Sequence, residues 1–180
     1  VDIIQHSASA LVVIDMQRAL YSGPAKPHEG DAILERVKAL IARARAGKTL
    51  VVFIQHCSPA GTPCETGSKG WELVDGIAPG DGELLIQKTR PSIFFGTPLE
   101  QHLRDARVGR LILAGMKTEY CIDTSCRAAA DLGFRVVLAA DAHTTMDSPA
   151  LPAASIIAHH NATLGGPFAE IVASDRISFD

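Results

Sequence analysis

Short runs of consecutive apolar residues, separated mostly by stretches of helical periodicity, constrain this chain more than any other feature. The runs are Ala10 to Ile14, Thr49 to Ile54, Leu84 to Gln87, Arg110 to Ala114 and Phe134 to Ala139, with a weaker one at Glu170 to Ala173. Unbroken apolar runs of this length suit strands covered on both faces, as in a parallel sheet. Ile33, Val37, Leu40, Ile41 and Ala44 recur on one side of a helical period, and Gly47 ends that pattern. Leu99 to Arg107, Thr118 to Leu132 and Pro149 to His160 are further helix candidates. Ser148 is the expected N-cap of the last, with Pro149 at its first position. Such alternation implies right-handed crossovers and an α/β fold: one doubly wound, mostly parallel six-stranded sheet with helices on both faces.

Composition narrows the class. A length of 180 residues predicts a single domain over 1–180. With 47% hydrophobic and 21% charged residues, the chain has ordinary globular usage, which excludes a disordered one. The apolar runs fall far short of the ~20 residues that span a bilayer, and no secretory signal opens the sequence. Seventeen Lys and Arg against 20 Asp and Glu leave a net charge of -3. Nothing resembles the basic stripe that a phosphate backbone requires, so neither nucleic acid nor membrane is an expected partner. Four cysteines are too few for a disulfide scaffold, and free thiols point to the cytoplasm. The long irregular stretch from Gln55 to Gly82 reads as a functional loop.

Several motifs fail on inspection. Gly47-Lys48-Thr49 lacks the first glycine of a phosphate loop and precedes a strand instead of opening a helix. Gly80-Asp81-Gly82 has Leu85 where a dinucleotide fingerprint needs its third glycine. His56, Cys57 and Cys64 lack the spacing of a structural zinc site, and neighbouring His159 and His160 point two ways from one helix. No metal and no cofactor are expected.

What remains lies at strand ends, where open α/β sheets bind ligands. Asp15 ends the first run, Lys88 the third, and the fourth leads through Gly115-Met116-Lys117-Thr118-Glu119-Tyr120-Cys121 into a helix. With Thr118 as cap, Cys121 stands in the first turn, where the helix dipole lowers a thiol's pKa. A thiolate is a strong nucleophile once deprotonated. Asp15 can take the proton, Lys88 can orient the carboxylate, and helix-start N–H groups can hold an oxyanion. Taken singly, each residue has an ordinary structural use. Their joint placement on one edge favours chemistry.

Three segments in this order resemble the isochorismatase-like cysteine hydrolases, a family that includes nicotinamidases and N-carbamoylsarcosine amidohydrolases. They are Leu11 to Gln17, Lys88 to Thr97 and Ala114 to Cys121. The resemblance implies a catalytic triad of Asp15, Lys88 and Cys121. It further implies a cis peptide between Met116 and Lys117 that turns the N–H groups of Lys117 and Cys121 into an oxyanion hole. The implied chemistry is amide or carbamoyl C–N hydrolysis of a small molecule through a thioester. A homo-oligomer, dimer or tetramer, is implied as well.

Two departures narrow the substrate. The metal-binding Asp-x-His of nicotinamidases is replaced by Gln55-His56-Cys57, which disfavours nicotinamide. Family members that cleave the isochorismate vinyl ether lack the cysteine, whereas Cys121 is present. Candidate substrate-contacting residues are Gln17, Leu20, Tyr21, Trp71, Phe94, Phe95 and Tyr120. Ser92 and Thr97 are expected to brace the Lys88 segment, and Cys126 to face the core. The competing readings are a thiol-based redox or sensing protein, disfavoured by the absence of a nearby resolving cysteine, and a catalytically silent binding protein on the same fold.

Overall fold

The computed structural model describes residues 7–179. Six strands build one sheet: β1 (Ala8–Ile14), β2 (Leu50–His56), β3 (Leu84–Lys88), β4 (Val108–Met116), β5 (Arg135–Thr144) and β6 (Glu170–Val172). Their order is β3-β2-β1-β4-β5-β6, and every neighbouring pair runs parallel. Successive side chains of β1 enter opposite layers, which is why its apolar run is unbroken. Ala10, Val12 and Ile14 pack with Leu99 and Leu103 of α3 (Leu99–Asp105) and with Cys126 and Ala129 of α4 (Asp123–Asp131). Leu11 and Val13 meet Val37, Leu40 and Ile41 of α2 (Gly30–Ala46) on the other face. Each such fully buried Val, Leu or Ile contributes roughly 1.5–3 kcal/mol relative to exposure.

Strand order reverses between β1 and β4, the central pair. That switch point is where an open α/β sheet leaves a crevice beyond its strand ends. It requires the two backbones to approach closely. Gly115, paired with Ile14, has φ +123°, and a Cβ there would lie 2.1 Å from the Ile14 carbonyl oxygen. Gly115→Ala is therefore expected to lower stability by about 3 kcal/mol or more, overpacking added to a forbidden dihedral. Thermal unfolding of the variant against wild type checks this; an unchanged midpoint contradicts it.

Three expectations need correction. The last long helix, α5, spans Ala153–Leu164 and not Pro149 to His160. Ser148 instead closes a tight turn, its Oγ accepting the N–H groups of Ala150 and Leu151, while Asp147 Oδ1 accepts the N–H of Ala153. β5 continues through the polar Asp141 to Thr144, beyond the apolar run, because β4 still supplies pairing partners after an irregularity. The helix expected from Thr118 begins as one π-helical turn, Thr118–Ile122, before α4. A short helix after β1, α1 (Arg18–Ser22), lies in a stretch with no helical signal of its own. Among the described residues no helix is long and apolar enough to cross a membrane.

Candidate active site

Beyond the ends of β1 and β4 lies a cavity of about 320 Å³, with Asp15, His56 and Cys121 in its wall. A depression of about 390 Å³ beside Phe134 and Phe168 is larger but brings no cysteine or histidine to its wall.

Asp15 ends β1 in the left-handed region, φ +51°, a conformation that an Asp tolerates better than most residues. Its N–H is tied to the Ile54 carbonyl at 3.0 Å, so the carboxylate is fixed by the sheet. Lys88 ends β3 and reaches under β2. Its ammonium lies 2.7 Å from Asp15 Oδ2, 3.2 Å from Cys121 Sγ and 3.2 Å from His56 Nδ1. An ammonium has three N–H donors and no acceptor, so all three are used. Both partners of the ion pair are buried, Lys88 and Asp15 each 2% exposed.

This fixes the protonation pattern. His56 must accept at Nδ1, which assigns the neutral tautomer with its proton on Nε2. Burial, and then the Lys88 charge, lower the His56 pKa in the same sense. Burial raises the Asp15 carboxyl, with Lys88 opposing. Its Oδ1 is buried without a hydrogen-bond partner, leaving a lone pair for an incoming proton.

Cys121 departs from expectation. Its thiol is pushed up to about 12 by burial and then by the Asp15 charge, where a helix start alone would lower it. Desolvation outweighs both the dipole and Lys88. Cys121 is thus held as a thiol beside a buried carboxylate.

The turn that carries Cys121 is held from behind. Lys117, not Thr118, stands at its N-cap position, and the Met116–Lys117 peptide is cis. Thr118 Oγ1 lies 2.9 Å from His143 Nδ1, His143 Nε2 lies 2.9 Å from Asn161 Oδ1, and Asn161 Nδ2 donates to the Ala140 carbonyl at 3.0 Å. Asn161 so oriented accepts from Nε2–H, and the Thr118 hydroxyl therefore donates to Nδ1. Burial lowers the His143 pKa and keeps this neutral pattern. Ser125 Oγ accepts the N–H of Ile93, and Thr97 donates to the Ile93 carbonyl, tying the segment after Lys88 to α4.

The substrate-contacting candidates divide. Leu20 and Tyr120 lie in the cavity wall. Gln17 does not: its buried amide donates to the carbonyls of His56 and Trp71 and accepts the His56 N–H, bracing the β2 end. Tyr21 turns to the other layer, beside Met16 Sδ. Trp71 donates Nε1–H to Cys57 Sγ at 3.3 Å, and Phe94 stacks on Phe134 at 6.0 Å. Phe95 is 67% exposed and outside the wall. The wall is completed by Lys117, expected for its backbone N–H alone, and by His56, Ser58, Pro63, Cys64 and Pro91, none of which was read from sequence as a substrate contact. His56 alone left a signal, since it extends the second apolar run to lie beside Lys88.

Cys64 shares the cavity with Cys121, a proximity that sequence spacing conceals. Its thiol pKa is also raised, first by burial, and all four cysteines are free. Cys126 lies in the core. Donor atoms of Asp15, His56 and Cys121 fall within 4.8 Å of one another, a spacing that a metal ion can use. The Lys88 ammonium already contacts all three, and a second cation would be set against it at close range.

Known proteins carry the same arrangement of sequence. Residues 9–164 match the model of the isochorismatase domain. A streptothricin hydrolase of Streptomyces noursei is 39% identical over 146 residues, covering 81% of this chain and 58% of that protein, so the chain spans little more than half the length of that relative. A ureidoacrylate amidohydrolase of Enterobacter sp. is 29% identical over 174 residues, 77% of this chain and 75% of that one. The crystal structure of an isochorismatase from Pseudomonas putida superposes with a TM-score of 0.89 at 26% identity, covering 97% of this chain and 91% of the other. With the family model matched across nearly all of β1 to α5 and the six-stranded parallel sheet in common, the chain belongs to the isochorismatase family.

Proposed function

We propose that this chain, acting as one catalytic domain, is a cysteine-dependent hydrolase that cleaves a small amide or carbamoyl C–N bond with Asp15, Lys88 and Cys121. The observation that carries the reading is the buried Lys88 ammonium bonded at once to the Asp15 carboxylate and the Cys121 sulfur. The relatives' names, a streptothricin hydrolase and a ureidoacrylate amidohydrolase, agree in reaction class.

In this cycle Cys121 sulfur attacks the carbonyl carbon while its proton passes to Asp15. The oxyanion that forms is held by the N–H groups of Lys117 and Cys121. Collapse breaks the C–N bond, and Asp15 delivers its proton to the departing nitrogen. Asp15 then takes a proton from water as the oxygen attacks the thioester. The C–S bond breaks, the sulfur regains a proton, and the acid leaves. Lys88 keeps its charge throughout and steadies the carboxylate in both half-reactions.

Ammonia release from a panel of small primary amides and carbamoyl compounds tests this. Turnover is expected on an amide or ureido member, and a panel with no turnover at all counts against the reading. The pH dependence is a second check. Asp15 must be ionised to act, and its pKa is raised by burial. kcat/KM should therefore rise with pH through a limb lying above the ordinary carboxylate value of about 3.9. A limb at or below that value contradicts Asp15 as the base.

A further inference from the structure

One cation of the cavity is unused by the cycle just described. In the wall, the Asp15 charge is offset by Lys88 at 2.7 Å, and His56 is held neutral by the same ammonium. The remaining wall residues include no other carboxylate. Lys117 thus leaves the cavity with a net positive charge, in a chain whose overall charge is -3. It is half-buried and enters no ion pair among the described residues. The carboxylate two positions on, Glu119, is turned elsewhere, with one oxygen on the Thr145 hydroxyl and the other buried.

Lys117 is itself a residue of the cavity wall. Its charge is felt at the Cys64 thiol in the same wall, partly countering the effect of burial there. The body of the wall around it is apolar, from Leu20, Pro63 and Pro91, so an anion paired with it would be screened less than one in open solvent.

We propose that Lys117 forms an anion subsite, and that the substrate is a short amide or ureido compound carrying a carboxylate or similar anionic group close to the scissile carbonyl. This rests on the hydrolase reading above and deepens it. The closeness follows from connectivity: Lys117 directly follows the last residue of β4 and stands at the head of the turn that carries Cys121. One residue therefore supplies both the backbone beside the reacting carbonyl and the cation for the rest of the molecule. Apart from Asp15, already paired with Lys88, the wall offers a substrate ammonium no carboxylate, and Lys117 would meet it as a like charge.

The test uses three amides of one chain length: succinamate, and the amides that end in a hydroxyl or an ammonium in place of its carboxylate. Within each enzyme variant the ratio of kcat/KM for the carboxylate to that for the hydroxyl compound is read, so that any general loss from disturbing the turn cancels. Wild type should favour the carboxylate by about 10-fold or more, chiefly through KM, and turn over the ammonium compound worst. Lys117→Met should bring the ratio close to one, Lys117→Arg should keep it, and Lys117→Glu should shift the preference to the ammonium compound. A wild-type ratio near one, or a ratio that survives in Lys117→Met, overturns the subsite.

Protection of Cys121 against alkylation by iodoacetamide, with the same three compounds, supplies a readout that needs no turnover. Stronger protection by succinamate that is lost in Lys117→Met supports the subsite even if hydrolysis fails. Hydrolysis without any carboxylate preference sinks the subsite and leaves the hydrolase intact.

Discussion

Cys121→Ala should reduce amide hydrolysis by roughly 10⁴-fold or more, to the rate left by binding and oxyanion contacts alone. Cys121→Ser should fare little better. A serine hydroxyl is a much weaker acid than a thiol, and Asp15 has only moderate basicity to offer it. Asp15→Asn should cost a comparable factor, because the thiol, pushed up to about 12, has no other buried base within contact. The two losses should not add: the double variant is expected to match the worse single one, since both residues serve one proton transfer. Steady-state ammonia release with alkylation of Cys121 as a parallel measure of thiol reactivity checks each statement. Asp15→Asn should slow hydrolysis without slowing alkylation, because it removes a charge that raises the thiol and leaves Lys88 to favour the thiolate. A redox protein built on Cys121 would instead show reversible oxidation with no amide turnover to lose, and a silent binding protein would show neither.

The second large effect falls on stability. Lys88 and Asp15 form an ion pair at 2.7 Å with side-chain exposures of 0% and 2%. Replacing Lys88 by Met leaves a carboxylate buried without its partner, a change that costs about 3–5 kcal/mol. The cost should depend on pH with a definite sign. In the variant the folded-state pKa of Asp15 rises further, since Lys88 is what opposes the burial effect. The folded protein then binds more protons than the unfolded chain between the ordinary carboxylate pKa and the raised one. Stability therefore falls as pH rises through that window, and the deficit relative to wild type should shrink toward acid pH. Denaturant unfolding at two pH values reads this directly. Asp15→Asn in the Lys88→Met background should restore much of the loss, because it removes the stranded charge. A deficit that does not change with pH would mean that Asp15 is not the group left unpaired.

Much of the site could be read along the chain. Asp15 and Lys88 stand at the ends of apolar runs and Cys121 in the turn that follows another, and a parallel sheet delivers strand ends to one edge whatever the loops do. The walls were a different matter. Gln17, Tyr21, Trp71 and Phe94 were expected in the pocket because they follow strand ends or are aromatic. Gln17 is taken up by the backbone of His56 and Trp71. Phe94 is taken up by Phe134. Neither commitment has a periodicity to reveal it, since a loop residue chooses its direction from distant partners. His56 was set aside with the weak metal ligands, yet parallel pairing of β2 with β3 places it opposite Lys88. Cys64 was one thiol in a long loop and shares a cavity wall with Cys121. The start of α5 was misplaced because Ser148 and Pro149 carry a capping pattern that Asp147 supersedes from six residues before Ala153.

The sequence by itself determined the class of fold and the edge on which chemistry can occur. Apolar period, glycine stops and strand-end residues are local properties, and the right-handed crossover rule converts them into one topology. Only the tertiary structure decided how those residues behave. That Cys121 is held as a thiol and not a thiolate is a balance of burial and the Asp15 charge at the end of β1 against the Lys88 charge from β3. That His56 is neutral follows from the third hydrogen of an ammonium thirty-two positions away. Desolvation and hydrogen-bond sharing depend on everything within a few ångströms in space, and a linear order of residues does not state which groups those are.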